Sequence, residues 1–286
     1  MSRSLLLIIL SAFFFNSCEI INPSEQVPAY VKIDAIAFKD NPDEVGSTRQ
    51  KIEYVWFYLD EDLQGVYELP AYFPVLKLGK RRVRINGGVK MNGISATKIS
   101  YPFFDFNTKE YNLEARKTLE IKDTIRYIED MTLIFKEDFD VGLSFENMSG
   151  SLATMQRTTN TNQIYEGTGS GIVELNNTEN FFKSRMFQSV PIKLPGGGSN
   201  VFLELDYKND VSFTIGLASV QSSGEIEDWD ILSVNPKTNW NKIYINFTNA
   251  VSYNQSAVEH YFYVKSSLPE GQSTGTLFFD NFKLIY

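Results

Sequence analysis

The chain has 286 residues, enough for about two ordinary domains. Its 27 Lys plus Arg stand against 35 Asp plus Glu, a formal net charge of −8, and such a balance argues against nucleic acid as a partner because phosphate binding needs clustered positive charge. A hydrophobic content of 43%, with 22 Phe and 15 Tyr, is ample for packed cores, and a single cysteine excludes internal disulfides.

The N-terminal stretch places one basic residue, Arg3, before an apolar run from Leu5 to Phe15, then Asn16, Ser17 and Cys18. This is the layout of an export signal, and the run is too short for a spanning helix. A signal ending at a lone cysteine resembles a bacterial lipoprotein signal. The resemblance implies removal of residues 1–17 and a lipid on Cys18 as the new N-terminus. Phe15 stands where Leu is usual, a looser box resembling those of Bacteroidetes lipoproteins. The alternative is an ordinary cleaved signal with an incidental cysteine. Residues 18–28, with Pro23 and Pro28, read as a short tether. No later apolar run approaches the roughly 20 residues of a membrane helix, so attachment to the bilayer rests on the lipid. The resemblance implies an outer-membrane location. Display outside the cell stays open, because Glu19 is followed by Ile20 and Ile21 where surface-export signals carry an acidic run.

Residues 29–137 read as a first β-domain. Val31, Ile33, Ala35 and Ala37 alternate, and the segment from Ile52 to Asp60 is rich in β-branched and aromatic residues. The polar stretch from Asp60 to Gly65 between two apolar runs predicts a hairpin turn. Gly87, Gly88 and Gly93 are expected at turn positions with positive φ. From Val55 to Phe104, the strand, acidic turn, Gly65, Leu69, Pro70, Pro74, Gly79 and the basic run Arg81 to Ile85 resemble small PEGA-like β-domains. The same stretch is similar to the first domain of Bacteroidetes lipoproteins. These likenesses imply a small Ig- or PEGA-like sandwich and supply no activity for it. Tyr111 to Phe135 favours strands by its Ile and Thr content, with a helical turn open over Leu113 to Leu119. Asp123, Thr124 and Ile125 resemble the O-glycosylation acceptor triplet of this bacterial group, although three residues are a weak signal and a plain strand start is the better account of them. Acidic residues and Gly142 between Lys136 and Glu146 mark the expected boundary.

Over 138–286 short strands recur with turn signals and no helical period, which predicts an antiparallel sandwich closed as a jelly roll. The fold class is therefore all-β, a small sandwich followed by a jelly roll. The segments Phe145 to Asn147, Tyr165 to Gly171, Val201 to Lys208, Asn239 to Phe247 and Phe278 to Tyr286 resemble jelly-roll carbohydrate-binding modules and galactose-binding-like domains. That likeness implies a non-catalytic binding role.

The residue supply for catalysis is thin. His260 is the only histidine and alternates with Phe262 and Val264, which reads as a core position. Neither a GxSxG elbow nor an HExxH helix occurs, and only a two-carboxylate glycosidase stays open. In the last strand Phe278, Phe282, Leu284 and Tyr286 share a face at period two, with Asp280 among them. The resemblance implies a structural calcium held by Asp280, Glu146 and carbonyls of the loop Gly167 to Gly171. A rim aspartate capping a turn or meeting a Lys or Arg is the alternative. Alternation also places Glu204, Asp206, Tyr244, Tyr261 and Tyr263 outward, with Trp229 as a rim contact and Trp240 as packing. Such a mixture suits polysaccharide, since sugar C–H faces stack on rings while carboxylates accept hydroxyl protons. The bland reading is that this face is covered by loops or by the first domain. Two functions fit: a lipid-anchored envelope protein binding glycan, or a structural subunit of an outer-membrane protein complex.

Overall fold

The computed structural model describes residues 25–286. The expected signal, the lipidation site Cys18 and most of the tether lie outside the described residues. Among the described residues no helix is long and apolar enough to cross a membrane.

The first sandwich contains β1 (Ala29–Ile33), β2 (Ile36–Phe38), helix α1 (Pro42–Val45), β3 (Tyr54–Leu59), β4 (Asp62–Glu68), β5 (Ala71–Val75), β6 (Gly79–Lys90), β7 (Lys98–Ser100), β8 (Phe106–Leu113), β9 (Thr118–Glu120) and β10 (Asp123–Ile125). Its main sheet runs β4-β3-β6-β7, with β8 also paired to β6. Its other strands form the sheet β5-β1-β9 and the pair β10–β2. Alternation drives the packing: Val55, Phe57 and Leu59 of β3 are buried in the core with Phe73 and Val31. The hairpin is real, but its turn is the two residues Asp60 and Glu61, at φ of 49° and 72°. Gly65 instead lies inside β4, where the Tyr67 ring fills the space a Cβ would need. Only Gly93 of the expected turn glycines has positive φ; Gly87 and Gly88 sit inside β6. Thr124 is exposed in β10.

The second sandwich contains β11 (Leu133–Glu137), β12 (Phe145–Asn147), β13 (Gln156–Thr158), β14 (Ser170–Asn176), β15 (Phe181–Met186), β16 (Phe202–Asn209), β17 (Phe213–Val220), β18 (Ile226–Val234), β19 (Lys237–Asn246), helix α2 (Thr248–Tyr253), β20 (Glu259–Ser267) and β21 (Thr274–Ile285). It is an all-β jelly roll of two sheets, β13-β14-β21-β16-β19 and β12-β15-β20-β17-β18. Strand β11 pairs antiparallel with β21, so this sandwich recruits a strand from before the expected boundary. Leu203, Leu205 and Ile245 of one sheet meet Ile215, Leu217, Phe262 and Val264 of the other in one core. His260 is buried on that inner side: its Nδ1 accepts from the Leu194 N–H at 3.3 Å, and Nε2 has no partner.

The last strand does not keep period two throughout. The pairing of β16 with β21 shifts register between Glu204 and Asp206, and Asn281 has φ of 51°. This bulge inserts one residue and changes which face each later side chain joins. Phe279 packs inward before it, as Phe282 and Leu284 do after it, while Phe278 and Asp280 turn to the outer face with Lys283.

Candidate functional site

The outer face of the β14-β21-β16-β19 sheet has two halves, and the cross-strand register assigns each side chain to one. Ile172 faces Phe278, and Phe278 faces Lys208, giving one row. Asp280, Asp206 and Lys242 form the next. Lys283, Glu204 and Tyr244 form a third.

The third row is covered by the first domain. Glu204 is fully buried, and its carboxylate accepts from the Tyr101 hydroxyl at 2.9 Å and from the Tyr127 hydroxyl at 3.0 Å. Lys242 Nζ lies 3.3 Å from Glu204 and 3.7 Å from Asp206. Lys283 Nζ donates to the Ser47 carbonyl at 2.5 Å. The Tyr244 hydroxyl accepts from the Lys51 N–H at 2.8 Å and donates to Gln50 at 2.9 Å. Burial and the Glu204 charge raise the pKa of Tyr101, Tyr127 and Tyr244 well above the ordinary phenol range. Burial lowers Lys283 to about 8. For Lys242 burial pulls down, but Asp206 and Glu204 outweigh it and raise the pKa. Burial raises Asp206, and its Oδ1 has no partner.

The expected ligand face is therefore corrected on two counts. Glu204, Asp206 and Tyr244 belong to one sheet and Tyr261 and Tyr263 to the other, so alternation put each outward, but on opposite sides of the sandwich; Trp229, expected in a loop, lies in edge strand β18 of the second sheet opposite the core residue Leu217. None of the three tyrosines offers an open ring. Tyr244 is under the first domain, and Tyr261 and Tyr263 are 3% and 1% exposed. Arg185 lies over Tyr261 and Lys183 over Tyr263, whose hydroxyl donates to Asp230 at 2.6 Å. Trp229, half exposed, packs on Tyr253 at the end of α2.

The expected calcium donors are likewise not brought together. Glu146 lies in the sheet opposite Asp280 and is ion-paired with Arg185. Asp280 accepts from the Ser170 hydroxyl at 2.6 Å and the Asn281 N–H at 2.8 Å, and burial pushes its pKa up to about 7. The Arg157 guanidinium ties the glycine-rich loop to the segment after β11: it donates to Thr168 O of the loop at 3.2 Å, and to Asp140 O at 2.7 Å and Phe139 O of that segment. Among the described residues no cluster of three or more His, Cys, Asp or Glu is placed to hold a metal ion. A fixed side-chain cation thus fastens the loop that the resemblance assigned to calcium. Nearby, a cleft of about 370 Å³ between Ser47, Asp138, Asp140, Glu166 and Asn281 is polar, but Asp140 and Glu166 are spent on Thr168, Ser47 and Asn281.

What the first domain leaves open is the first row and its surroundings. Trp240 precedes Asn241, the partner of Tyr207, and so lies on the outer face with Lys242. Its ring stacks on Tyr165 at 4.8 Å between centroids and stands 6.2 Å from Phe278. All three rings are half-buried. Arg157 secures the loop that delivers Tyr165, and Arg49 lies 5.1 Å over that ring. Lys208 covers part of Phe278 at 5.0 Å. On one side of Phe278 a groove of about 200 Å³ is lined by Lys208, Asp210, Lys237, Thr238 and Thr276. Across β14 a smaller one of about 100 Å³ is lined by Thr154, Gln156, Ile172, Glu174 and Glu179. The sequence reading missed this row because period-two alternation, carried through the bulge, assigned Phe278 to the core. Trp240 next to the outward Lys242 was the available signal.

No protein-family model and no curated protein matches the sequence. Among solved structures, the C-terminal family 22 carbohydrate-binding module of Clostridium thermocellum Xyn10B is similar at 16% identity and a TM-score of 0.38, over 53% of this chain and 92% of that one. The family 11 carbohydrate-binding module of the Clostridium thermocellum cellulase Lic26A-Cel5E shares 13% identity at a TM-score of 0.37, over 54% and 93%. A structure of carbohydrate-binding modules from the β-sandwich superfamily is similar over 92% of this chain and 99% of its own, at 12% identity and a TM-score of 0.40. No residue role transfers at such identities.

Proposed function

We propose that this protein is a non-catalytic, lipid-anchored component of the bacterial cell envelope whose jelly roll binds polysaccharide on the open half of its outer sheet face. The observation that carries the reading is the row Tyr165, Trp240 and Phe278, three half-buried rings flanked by grooves of Lys, Asp, Glu, Gln and Thr. Sugar rings stack their C–H faces on such aromatics, and the flanking carboxylates, amides and ammonium groups take up the hydroxyls. The neighbours named above as carbohydrate-binding modules are compatible with this role. Affinity electrophoresis of the mature protein through gels containing xylan, mixed-linked β-glucan or agarose tests it. Retardation by at least one polysaccharide, lost in Trp240→Ala and in Phe278→Ala, is expected. If no polysaccharide retards the protein and it instead co-purifies with an outer-membrane protein, the assembly-subunit reading takes its place.

The anchor is a separate part of the proposal, resting on the signal layout and on Cys18. Bacterial lipoproteins resemble multiply acylated anchors, which hold where one chain would give only marginal attachment. Cys18→Ser is expected to leave the membrane fraction, and a variant that fractionates as wild type does would remove the anchor from the account.

A further inference from the structure

A buried ammonium is costly, and protein interiors meet it with acceptors in good hydrogen-bonding geometry. Lys242 departs from this rule. Its Nζ is closed to solvent and has no hydrogen-bond partner among the described residues, although Glu204 Oε2 lies at 3.3 Å and Asp206 Oδ2 at 3.7 Å. Asp206 is its counterpart: the residue is fully buried, Oδ2 accepts from the Asn281 amide at 3.1 Å, and Oδ1 has no partner. The two residues stand directly opposite each other in the pairing of β16 with β19, so an unpaired amine and an unpaired carboxyl oxygen share one dry site.

The other charged groups of the cluster are engaged. Lys283 Nζ donates to the Ser47 carbonyl at 2.5 Å, and Asp280 accepts from the Ser170 hydroxyl and the Asn281 N–H. Glu204 receives the Tyr101 hydroxyl on Oε1 and the Tyr127 hydroxyl on both oxygens. Lys242 is thus the uncommitted nucleophile of the cluster and Asp206 its uncommitted carboxyl. An amide between them would remove two buried charges and leave no open oxygen or ammonium behind.

We propose that Lys242 and Asp206 condense into an isopeptide bond, Nζ to Cγ, that joins β19 covalently to β16. Glu204 takes one proton from the ammonium, and the lone pair so freed attacks Asp206 Cγ. Transfer within the pair needs no solvent, because burial penalises two ions more than two neutral groups. The tetrahedral centre puts its negative charge on Oδ2, where the Asn281 amide already donates. Nitrogen gives up a second proton through Glu204; Oδ1 takes both and departs as water, and the amide keeps the third. Ammonium and carboxylate become amide and water, with no oxidant and no cofactor. The sheet register supplies the proximity that a bimolecular condensation lacks. A cleft of about 180 Å³, lined by Lys242, Tyr207, Asn241 and Tyr244, adjoins the site and receives the water. Strand β19 is the edge of its sheet and carries both Trp240 and Tyr244, so the bond fastens the strand on which the open and covered halves depend. It does so whether or not the Trp240 row binds polysaccharide.

Tryptic digestion of the urea-unfolded protein, followed by tandem mass spectrometry, tests the bond. Trypsin does not cut after an acylated lysine. Residues 194–208, which carry Asp206, are therefore expected joined to residues 238–265, uncut at Lys242 and lighter than the two peptides together by one water, about 18 Da. Lys242→Arg keeps the positive charge beside Glu204 and Asp206 but forms no amide, and its digest should release 194–208 unlinked. Glu204→Gln keeps the side-chain shape and removes the base, so the joined peptide should fall about tenfold or more, with near-ultraviolet circular dichroism confirming the fold. Recovery of 194–208 and 238–242 as separate peptides from the wild type overturns the proposal. So does a join whose fragment ions place it on Glu204, or undiminished joining in folded Glu204→Gln.

Discussion

One sheet face has two fates in this molecule, and the two halves differ in what finishes their hydrogen bonding. In the covered half, charged and phenolic groups of the jelly roll are answered by Tyr101, Tyr127, Gln50, Lys51 and Ser47 of the first domain. In the open half, Trp240, Phe278 and Tyr165 have only one another and flanking polar chains. The same strands β16, β19 and β21 feed both. A polar residue on an outer face therefore says little about ligand until its partners are known, and here the buried carboxylate Glu204 holds domains together whereas the half-open rings are available.

Removing Glu204 should give the largest effect. Glu204→Ala leaves Lys242 and Lys283 buried beside phenols that have lost their acceptor, and a loss of about 3 to 5 kcal/mol in urea unfolding is expected. A loss below 1 kcal/mol would mean that the interface is not closed in solution. Arg157→Ala comes next, because it strips donors from the carbonyls of Phe139, Asp140 and Thr168, with about 2 kcal/mol expected. The wild-type midpoint should be unmoved by a chelator or by added calcium, and a calcium-dependent rise would restore the metal reading.

Asp280 lies at the seam of the two halves, and its effect is smaller and pH-dependent. Burial raises its folded pKa to about 7, above the unfolded carboxylate value, so its contribution is fully present below about pH 4 and is lost as pH rises through 7. Asp280→Asn removes that loss. The variant should gain about 1 to 2 kcal/mol on wild type between pH 5 and pH 8, measured by urea midpoints at each pH. A constant difference would place the Asp280 titration elsewhere.

Much of this architecture was legible residue by residue. Alternation in Val201 to Tyr207 and in Ile243 to Phe247 assigned inner and outer faces correctly, because both segments are unbroken strands. It failed at β21, where the bulge at Asn281 is invisible to a period count. Outwardness was legible, but exposure was not. Which sheet a strand joins and what docks on it are long-range facts, so Tyr244 and Tyr263 could not be told apart from local pattern. Arg157 gave no local sign of its partners 17 and 18 residues back.

The division of the face is tested most directly by the shift in the urea midpoint that a saturating polysaccharide ligand produces, measured on wild type, Tyr244→Phe and Trp240→Ala. Tyr244→Phe should lower the midpoint with and without ligand, since the hydroxyl pairs with Lys51 and Gln50, and should keep the full ligand-induced shift. Trp240→Ala should leave the ligand-free midpoint near that of wild type and lose the shift. A shift that survives Trp240→Ala, or vanishes in Tyr244→Phe, would contradict the assignment of binding to the open half and cohesion to the covered one.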